Sequence, residues 1–250
     1  MSLPLFVAGR GSLDGVAPGS AFVLDGDEGR HAAVRRIRAG ERIDVADGAG
    51  RVARCVVGRA ERDHLRLTVE RVTDVEPRLP RLVLVQALAK GGRDEQAVET
   101  ATELGVDAVV PWQAERSVVR WSGDRADRSR HRWEATAFAA AKQSRRATVP
   151  LIEPCTGTAE LVARAGPHGP GDEVVLVLHE EAAEPLTRVT IPDAAAVLVV
   201  VGPEGGITPG EIDRLTAAGA RAVRLGPEVL RASSAGPAAL AVLSARLGRW

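Results

Sequence analysis

At 250 residues the chain is long enough for one large domain or two modest ones, and 45% hydrophobic with 26% charged residues leaves no room for extensive disorder. The formal net charge is zero, no apolar run approaches the roughly 18 residues that span a bilayer, and the opening residues lack the basic start and apolar stretch of an export signal. These features exclude a membrane protein and lead us to expect a cytoplasmic one.

From Ala21 to Val72 apolar and polar residues alternate in short runs. Arg42–Val45, Val52–Val56 and Leu65–Val69 are predicted strands, with Asp47-Gly48 as a hairpin turn between the first two. A short helical segment is expected around His31 to Ile37, with Arg35, Arg36 and Arg38 clustered on it. The prolines of Val75-Glu76-Pro77-Arg78-Leu79-Pro80 break regular structure, so the domain boundary is placed there, giving a small antiparallel barrel over 1–75 and a second domain over 76–250. Cys55 and Cys155 lie far apart with no metal-type spacing, so they are read as buried thiols, and no metal is expected.

The second domain alternates apolar runs with helical stretches, the pattern of a parallel sheet covered on both faces. Leu82–Leu88 is a predicted strand, Asp94–Leu104 a helix closed by Gly105, and Ala108–Val110 a strand. Arg128–Arg145 reads as a long helix with Trp133, Ala137, Ala140, Ala141 and Ser144 on one side. Val174–Leu178 and Ala194–Val201 are Val-rich strands, followed by a strand at Ala222–Leu225 and a helix over Ala235–Leu247.

The neutral total conceals an uneven distribution. Residues 115 to 150 hold nine basic side chains against four acidic ones. Such a patch can hold phosphates on a neutral protein, although a solvated helix face gives the same pattern.

Three strand ends carry chemistry. Val199-Val200-Val201 runs into Gly202-Pro203-Glu204-Gly205-Gly206-Ile207, whose three glycines in five residues let backbone approach a ligand. Thr208, Pro209 and Glu211 then supply an N-cap, a first helical proline and a capping box. A second loop, Leu225-Gly226-Pro227, leads through Val229-Leu230-Arg231 to Ser233-Ser234 and Ala235, and a third begins at Leu178-His179-Glu180. Ligands in open α/β sheets bind beyond strand carboxyl ends, where all three loops lie. A glycine pair alone also serves as a plain turn, so only the three together point to a pocket. Gly48-Ala49-Gly50 lacks the third glycine of a dinucleotide fingerprint, and Lys90 and Lys142 follow no phosphate loop. What remains is a cofactor held largely by backbone.

At these residues the chain resembles the bacterial 16S ribosomal RNA (uracil-N3)-methyltransferases, a branch of the SPOUT methyltransferases, over nearly its whole length. His31, Val34-Arg35-Arg36, Gly40 and Asp47-Gly48 match that family's PUA-like barrel. Ala87-Leu88-Ala89-Lys90-Gly91, Ala101–Val106, Arg116–Val119, Arg132-Trp133, Gln143–Arg146 with Val149-Pro150, the Gly-Pro-Glu-Gly-Gly loop and Leu225-Gly226 with Val229-Leu230-Arg231 follow in order. The resemblance implies a trefoil-knotted α/β SPOUT domain behind a PUA-like β-barrel, and a homodimer that completes each site. It implies that methyl passes from S-adenosylmethionine to N3 of a specific uridine of 16S rRNA in the small ribosomal subunit.

The cofactor would contact Leu178, His179, Glu180, Val201, Gly202, Pro203, Glu204, Gly205, Gly206, Ile207, Leu225, Gly226, Val229, Leu230 and Ala235. Arg231 is the candidate donor to the charge developing on uracil, and Glu204 a candidate base whose other role is to tie down loop amides. Arg35, Arg36, Arg38, Arg116, Arg145 and Arg146 are expected to hold RNA phosphates. The chain departs from the family pattern at Glu228, at Ala232-Ser233-Ser234-Ala235, and at Gly236-Pro237, where helix-forming alanines are usual; Pro237 fits a helix that begins near Ser234. Two other classes stay open: a catalytically idle RNA-binding protein on the same scaffold, and a small-molecule, nucleotide-dependent α/β enzyme.

Overall fold

A computed structural model describes residues 3–166 and 172–250. The chain divides into two compact units, Met1–Glu76 with Ala141–Val149, and Pro77–Ala140 with Pro150–Trp250.

The first unit is a five-stranded sheet in the order β1-β3-β4-β5-β2, formed by β1 (Leu5–Val7), β2 (Ala21–Leu24), β3 (Arg42–Ala46), β4 (Arg51–Ala60) and β5 (Leu65–Asp74). It is mixed and not purely antiparallel, because β1 pairs in parallel with β3. The hairpin between β3 and β4 turns on Asp47, whose Oδ1 accepts from Ala49 N at 2.7 Å and Arg51 N at 3.0 Å. Alternate residues turn inward to a core of Phe6, Leu24, Ile43, Val45, Cys55, Leu65 and Leu67.

Helix α1 runs over Gly26–Val34, earlier than the expected His31–Ile37. It stops because Arg36 takes a left-handed φ of 56°, so Arg35, Arg36 and Arg38 sit on an exposed turn beyond the helix. Gly29 lets α1 close on the chain, since a Cβ there would stand 2.1 Å from Asp63 O. The sequence places segment 141–149 in the second domain, yet it packs in this unit through long-range bonds with no local signature. Val149 N donates to Gly48 O at 2.8 Å, and Lys142 Nζ pairs with Glu28, a buried carboxylate that also accepts from Val7 N at 3.3 Å.

The second unit is a parallel sheet in the order β12-β10-β11-β6-β7-β8, with β9 paired to β7. Its strands are β6 (Arg81–Ala87), β7 (Ala108–Gln113), β8 (Leu151–Ile152), β9 (Thr156–Gly157), β10 (Glu173–Leu178), β11 (Ala196–Val201) and β12 (Arg221–Val223). Its helices are α2 (Arg93–Glu103), α3 (Asp124–Gln143), α4 (Thr158–Arg164), α5 (Pro209–Ala218) and α6 (Ala232–Arg246). Every residue of β11 is buried, as a strand covered on both faces requires. Leu161 of α4 and Leu215 of α5 join the cluster formed by Val83, Val85, Val110, Leu198 and Val200, while α6 packs against α2, β6 and β11.

Helix α3 begins four residues before the expected Arg128 and ends at Gln143, where Arg145 adopts a left-handed φ of 57°. Trp133, Ala137, Ala140 and Ala141 are buried as their spacing predicts, whereas Ser144 lies just past the helix end and is only half-buried. Helix α6 begins at Ala232, three residues before the expected Ala235. Pro237 therefore lies inside the helix rather than in its first turn, and cannot donate to the Ser233 carbonyl. The helix continues because Gly236 seats it against the sheet: a Cβ there would lie 2.6 Å from Leu84 Cδ1 and 3.3 Å from Val201 Cγ2.

Candidate cofactor site

Strands β10, β11 and β12 run in parallel as neighbours, and Leu178 is in register with Val223, Val177 with Val200. Their carboxyl ends therefore finish together. The three loops that leave them, joined by the lead-in to α6, enclose a cavity of about 690 Å³. Every residue expected at the cofactor site lines it: Leu178, His179 and Glu180 from the first loop, Val201 to Ile207 from the second, Leu225, Gly226, Val229 and Leu230 from the third, and Ala235 from α6. Arg231 lines it as well.

The glycine loop is held from several sides. Gly206 takes a φ of 75°, and its amide donates to Pro203 O at 2.9 Å. At Gly202 an added Cβ would lie 2.7 Å from Ile207 Cγ1, so the loop folds back onto its own buried isoleucine. Glu204 Oε1 accepts from Arg93 Nη1 at 3.0 Å and from Lys90 N at 3.3 Å. Arg116 Nη1 donates to Gly205 O at 3.0 Å. Partial burial on its own would raise the Glu204 carboxyl, but the bonds from loop amides and Arg93 outweigh it and hold the group below the ordinary carboxylate range. That direction makes Glu204 a weak proton acceptor and a good anchor.

The following helix is fixed by Glu211, which is fully buried. Thr208 and Glu211 form the expected capping box, Oγ1 accepting from Glu211 N at 3.2 Å and Oε2 from Thr208 N at 3.1 Å. Oε1 of Glu211 also takes Glu115 N at 2.9 Å and Thr158 Oγ1 at 2.7 Å, tying α4, α5 and the segment after β7 together. Glu115 is held below its ordinary range by Arg214 and Thr208.

Arg231 N-caps α6 with its carbonyl, which accepts from Ser234 N at 2.8 Å and Ala235 N at 2.9 Å. Its exposed guanidinium has no ion-pair partner among the described residues. The cavity thus has an apolar lining from Leu178, Val201, Ile207 and Leu225, with Glu180, Glu181, Glu204 and Glu228 as acids and Arg93, Arg116, Arg224 and Arg231 as cations.

Sequence reasoning missed Arg93 and Arg224 as cavity residues, and placed Arg116 with RNA although it also staples the glycine loop. No local signal marks these, since Arg93 and Glu204 are 111 residues apart. Arg35, Arg36, Arg38, Arg145 and Arg146 belong to the first unit, and none of them lines this cavity. Cys155, expected to be buried, is only partly so, and it stands outside the cavity; burial pushes both its thiol and that of Cys55 up to about 11. Among the described residues no cluster of metal-ligating side chains occurs, and no helix is long and apolar enough to cross a membrane.

A parallel sheet with a cofactor-sized cavity at its carboxyl edge is the architecture of an α/β domain that binds a small molecule beyond its strand ends. Residues 76–244 match the family model of the RNA methyltransferase domain, and residues 24–70 that of the RNA methyltransferase PUA domain. The ribosomal RNA small subunit methyltransferase E of Mycobacterium tuberculosis is 49% identical over 233 residues, covering 93% of this chain and 89% of that protein. The Bacillus subtilis protein of the same name is 31% identical over 231 residues, covering 89% of each. The chain belongs to the ribosomal RNA small subunit methyltransferase E family. The crystal structure of the Neisseria gonorrhoeae member, bound to S-adenosyl methionine, superposes with a TM-score of 0.85 at 28% identity, covering 98% of each chain.

Proposed function

We propose that this protein transfers a methyl group from S-adenosylmethionine to N3 of a specific uridine of 16S rRNA in the small ribosomal subunit. The observation that carries this reading is the convergence of three strand-end loops and Arg231 on one cavity. At about 690 Å³ the cavity lies within the roughly 300–1,000 Å³ of small-molecule sites. Its apolar lining suits an adenosine, and its paired charges suit an amino-acid zwitterion, so the residues fit the cofactor. Bound there, S-adenosylmethionine supplies an electrophilic sulfonium methyl.

The chain's own residues do the rest. The loop from Gly202 to Ile207, fixed by Arg93 and Arg116, holds the cofactor in one orientation, and alignment of the two reactants contributes several kcal/mol, out of a possible ~7–11. Uracil N3 must lose its proton as the N–CH3 bond forms, and negative charge spreads over N3 and the two flanking carbonyl oxygens. The Arg231 guanidinium, without an ion-pair partner among the described residues, donates to that charge. Glu204, already engaged by Arg93 and Lys90, anchors the loop, and the proton leaves to water or to the RNA.

Arg35, Arg36 and Arg38 of a PUA-like RNA-binding domain, with Arg116, Arg145 and Arg146, hold phosphates without reading sequence. The active form is a cytoplasmic homodimer: Val229 and Leu230 on the cavity rim are 77% and 42% exposed, which a second subunit would cover. The carboxyl-terminal segment forms the trefoil knot, a reading supported by the return of α6 from the β12 edge to the middle of the sheet, where Arg249 Nη2 donates to Pro80 O at 2.6 Å.

Calorimetry with S-adenosylmethionine, paired with turnover of Arg231→Ala, tests the proposal. The wild type should bind the cofactor, and the variant should keep that affinity while losing about 100-fold or more in turnover. Absence of cofactor binding would return the chain to an idle RNA-binding scaffold. Equal loss of affinity and turnover would make Arg231 a cofactor ligand.

A further inference from the structure

A second cavity, of about 460 Å³, opens in the methyltransferase unit away from the cofactor loops. It is lined by Gln113, Trp121, Asp127, Arg130, Cys155 and Thr156 among others. Gln113 ends β7 and Thr156 begins β9, and Gln113 is in register with Gly157. The cavity therefore sits on the same carboxyl edge of the parallel sheet as the cofactor cavity. The segment between them, which follows β7, carries Arg116 on Gly205 O and Arg120 Nη2 on Glu115 O at 2.8 Å.

Trp121 is built as a rigid platform. Its ring meets the buried Trp133 edge-on, with centroids 5.1 Å apart at 74°, and its amide donates to Gln113 Oε1 at 2.9 Å. The chain holds three Phe, four Trp and no Tyr, so a partly exposed tryptophan in a cavity needs a purpose. Beside it, Arg130 Nε has no hydrogen-bond partner among the described residues; the carboxylate oxygen paired with it, Glu134 Oε1, stands 3.6 Å away, beyond bonding distance. The enclosed Nε is out of a ligand's reach, but the Arg130 side chain is 34% exposed, so its other guanidinium N–H groups can donate to one. Asp127, of opposite charge, offers an acceptor and disfavours a bare phosphate in the cavity.

We propose that this cavity is a subsite for a splayed nucleobase of the same RNA strand, stacked on Trp121 and hydrogen-bonded by Arg130. The inference rests on the RNA-methyltransferase reading and adds a base-holding position to it. Stacking on a protein aromatic tolerates any base, while the Arg130 donor and Asp127 acceptor meet base edges. The RNA is thereby gripped on both sides of the Arg116 segment, which would hold the target nucleotide at the cofactor loops. Trp121 and Arg130 are positioning residues that do not touch the reacting atoms.

The test uses the full-length protein. Methylation of unmodified small ribosomal subunits is measured for Trp121→Ala, Trp121→Phe and Arg130→Gln, alongside cofactor affinity. A lost stacked base should raise KM about tenfold in Trp121→Ala and Arg130→Gln, with kcat and cofactor affinity unchanged and Trp121→Phe near wild type. Unchanged KM in both Trp121→Ala and Arg130→Gln would overturn the proposal, as would a joint fall of kcat and cofactor affinity, which marks a merely structural role. Quenching of tryptophan fluorescence by tetraadenylate or tetrauridylate gives a readout independent of turnover. It should weaken about tenfold in Arg130→Gln and vanish in Trp121→Phe; quenching equal to wild type in both would also overturn the subsite. If the wild type methylates no subunit yet shows this quenching, the functional reading fails and the subsite stands.

Discussion

Replacing Gly236 by alanine sets two effects of known size against each other. In a helix interior the exchange relieves backbone entropy and is worth about 1 kcal/mol in favour of the folded state. Here the new methyl would sit 2.6 Å from Leu84 Cδ1, 3.4 Å from Leu84 Cδ2 and 3.3 Å from Val201 Cγ2, in a layer where Leu84 has no exposed surface. Overpacking of that kind costs about 1–3 kcal/mol. The clash wins, and the expected net is a loss of about 1 kcal/mol, or about 2–4 °C in Tm for a protein of this length. Thermal unfolding of Gly236→Ala measures it directly. Shortening the neighbour separates causes: combined with Leu84→Val, the same alanine should cost less than it does alone, with a coupling of about 0.5 kcal/mol or more. A Gly236→Ala protein that melts higher than wild type would refute the packing argument and return the position to simple helix propensity.

Glu204→Gln keeps the shape of the loop anchor and removes its charge. It should weaken cofactor binding several-fold while leaving kcat nearly intact; a collapse of kcat at unchanged affinity would make Glu204 the proton acceptor. The Glu204 carboxyl is held below its ordinary range, so its contribution is complete above the unfolded value near about 4.3 and disappears as pH falls through the lower folded value. Cofactor affinity measured by calorimetry should be flat with respect to this group across neutral pH. Thr208→Ala removes the N-cap of α5 and its bond to Glu115, and should lower stability by about 1 kcal/mol in the same melting assay.

The candidate cofactor cavity is legible in the sequence because each of its three walls carries a local signature. Val-rich strands announce burial on two faces, and the glycines at 202, 205, 206 and 226 mark where backbone is left open. Thr208 and Glu211 likewise declare the start of α5 within four residues. What cannot be read depends on contacts across the sequence. Nothing near Thr148 or Val149 says that they pair with Gly48, which is why the sequence puts 141–149 elsewhere. Strand β1 is three residues long, too short to show a period, and its parallel partner lies 39 residues on. Pro237 points to a first turn, so the sequence sets the start of α6 too late; the fit of Gly236 onto Leu84 is what lets the helix begin earlier. The Trp121 cavity has no motif, since Gln113 of β7, Trp121 of the segment after it, Arg130 of α3 and Thr156 of β9 meet only in the folded chain.

Supplied with methyl-labelled S-adenosylmethionine and small ribosomal subunits lacking the modification, the protein should place label on N3 of a single uridine of the 16S rRNA, with none on the proteins. Label on another base or atom, scattered label, or no label at all would contradict the account.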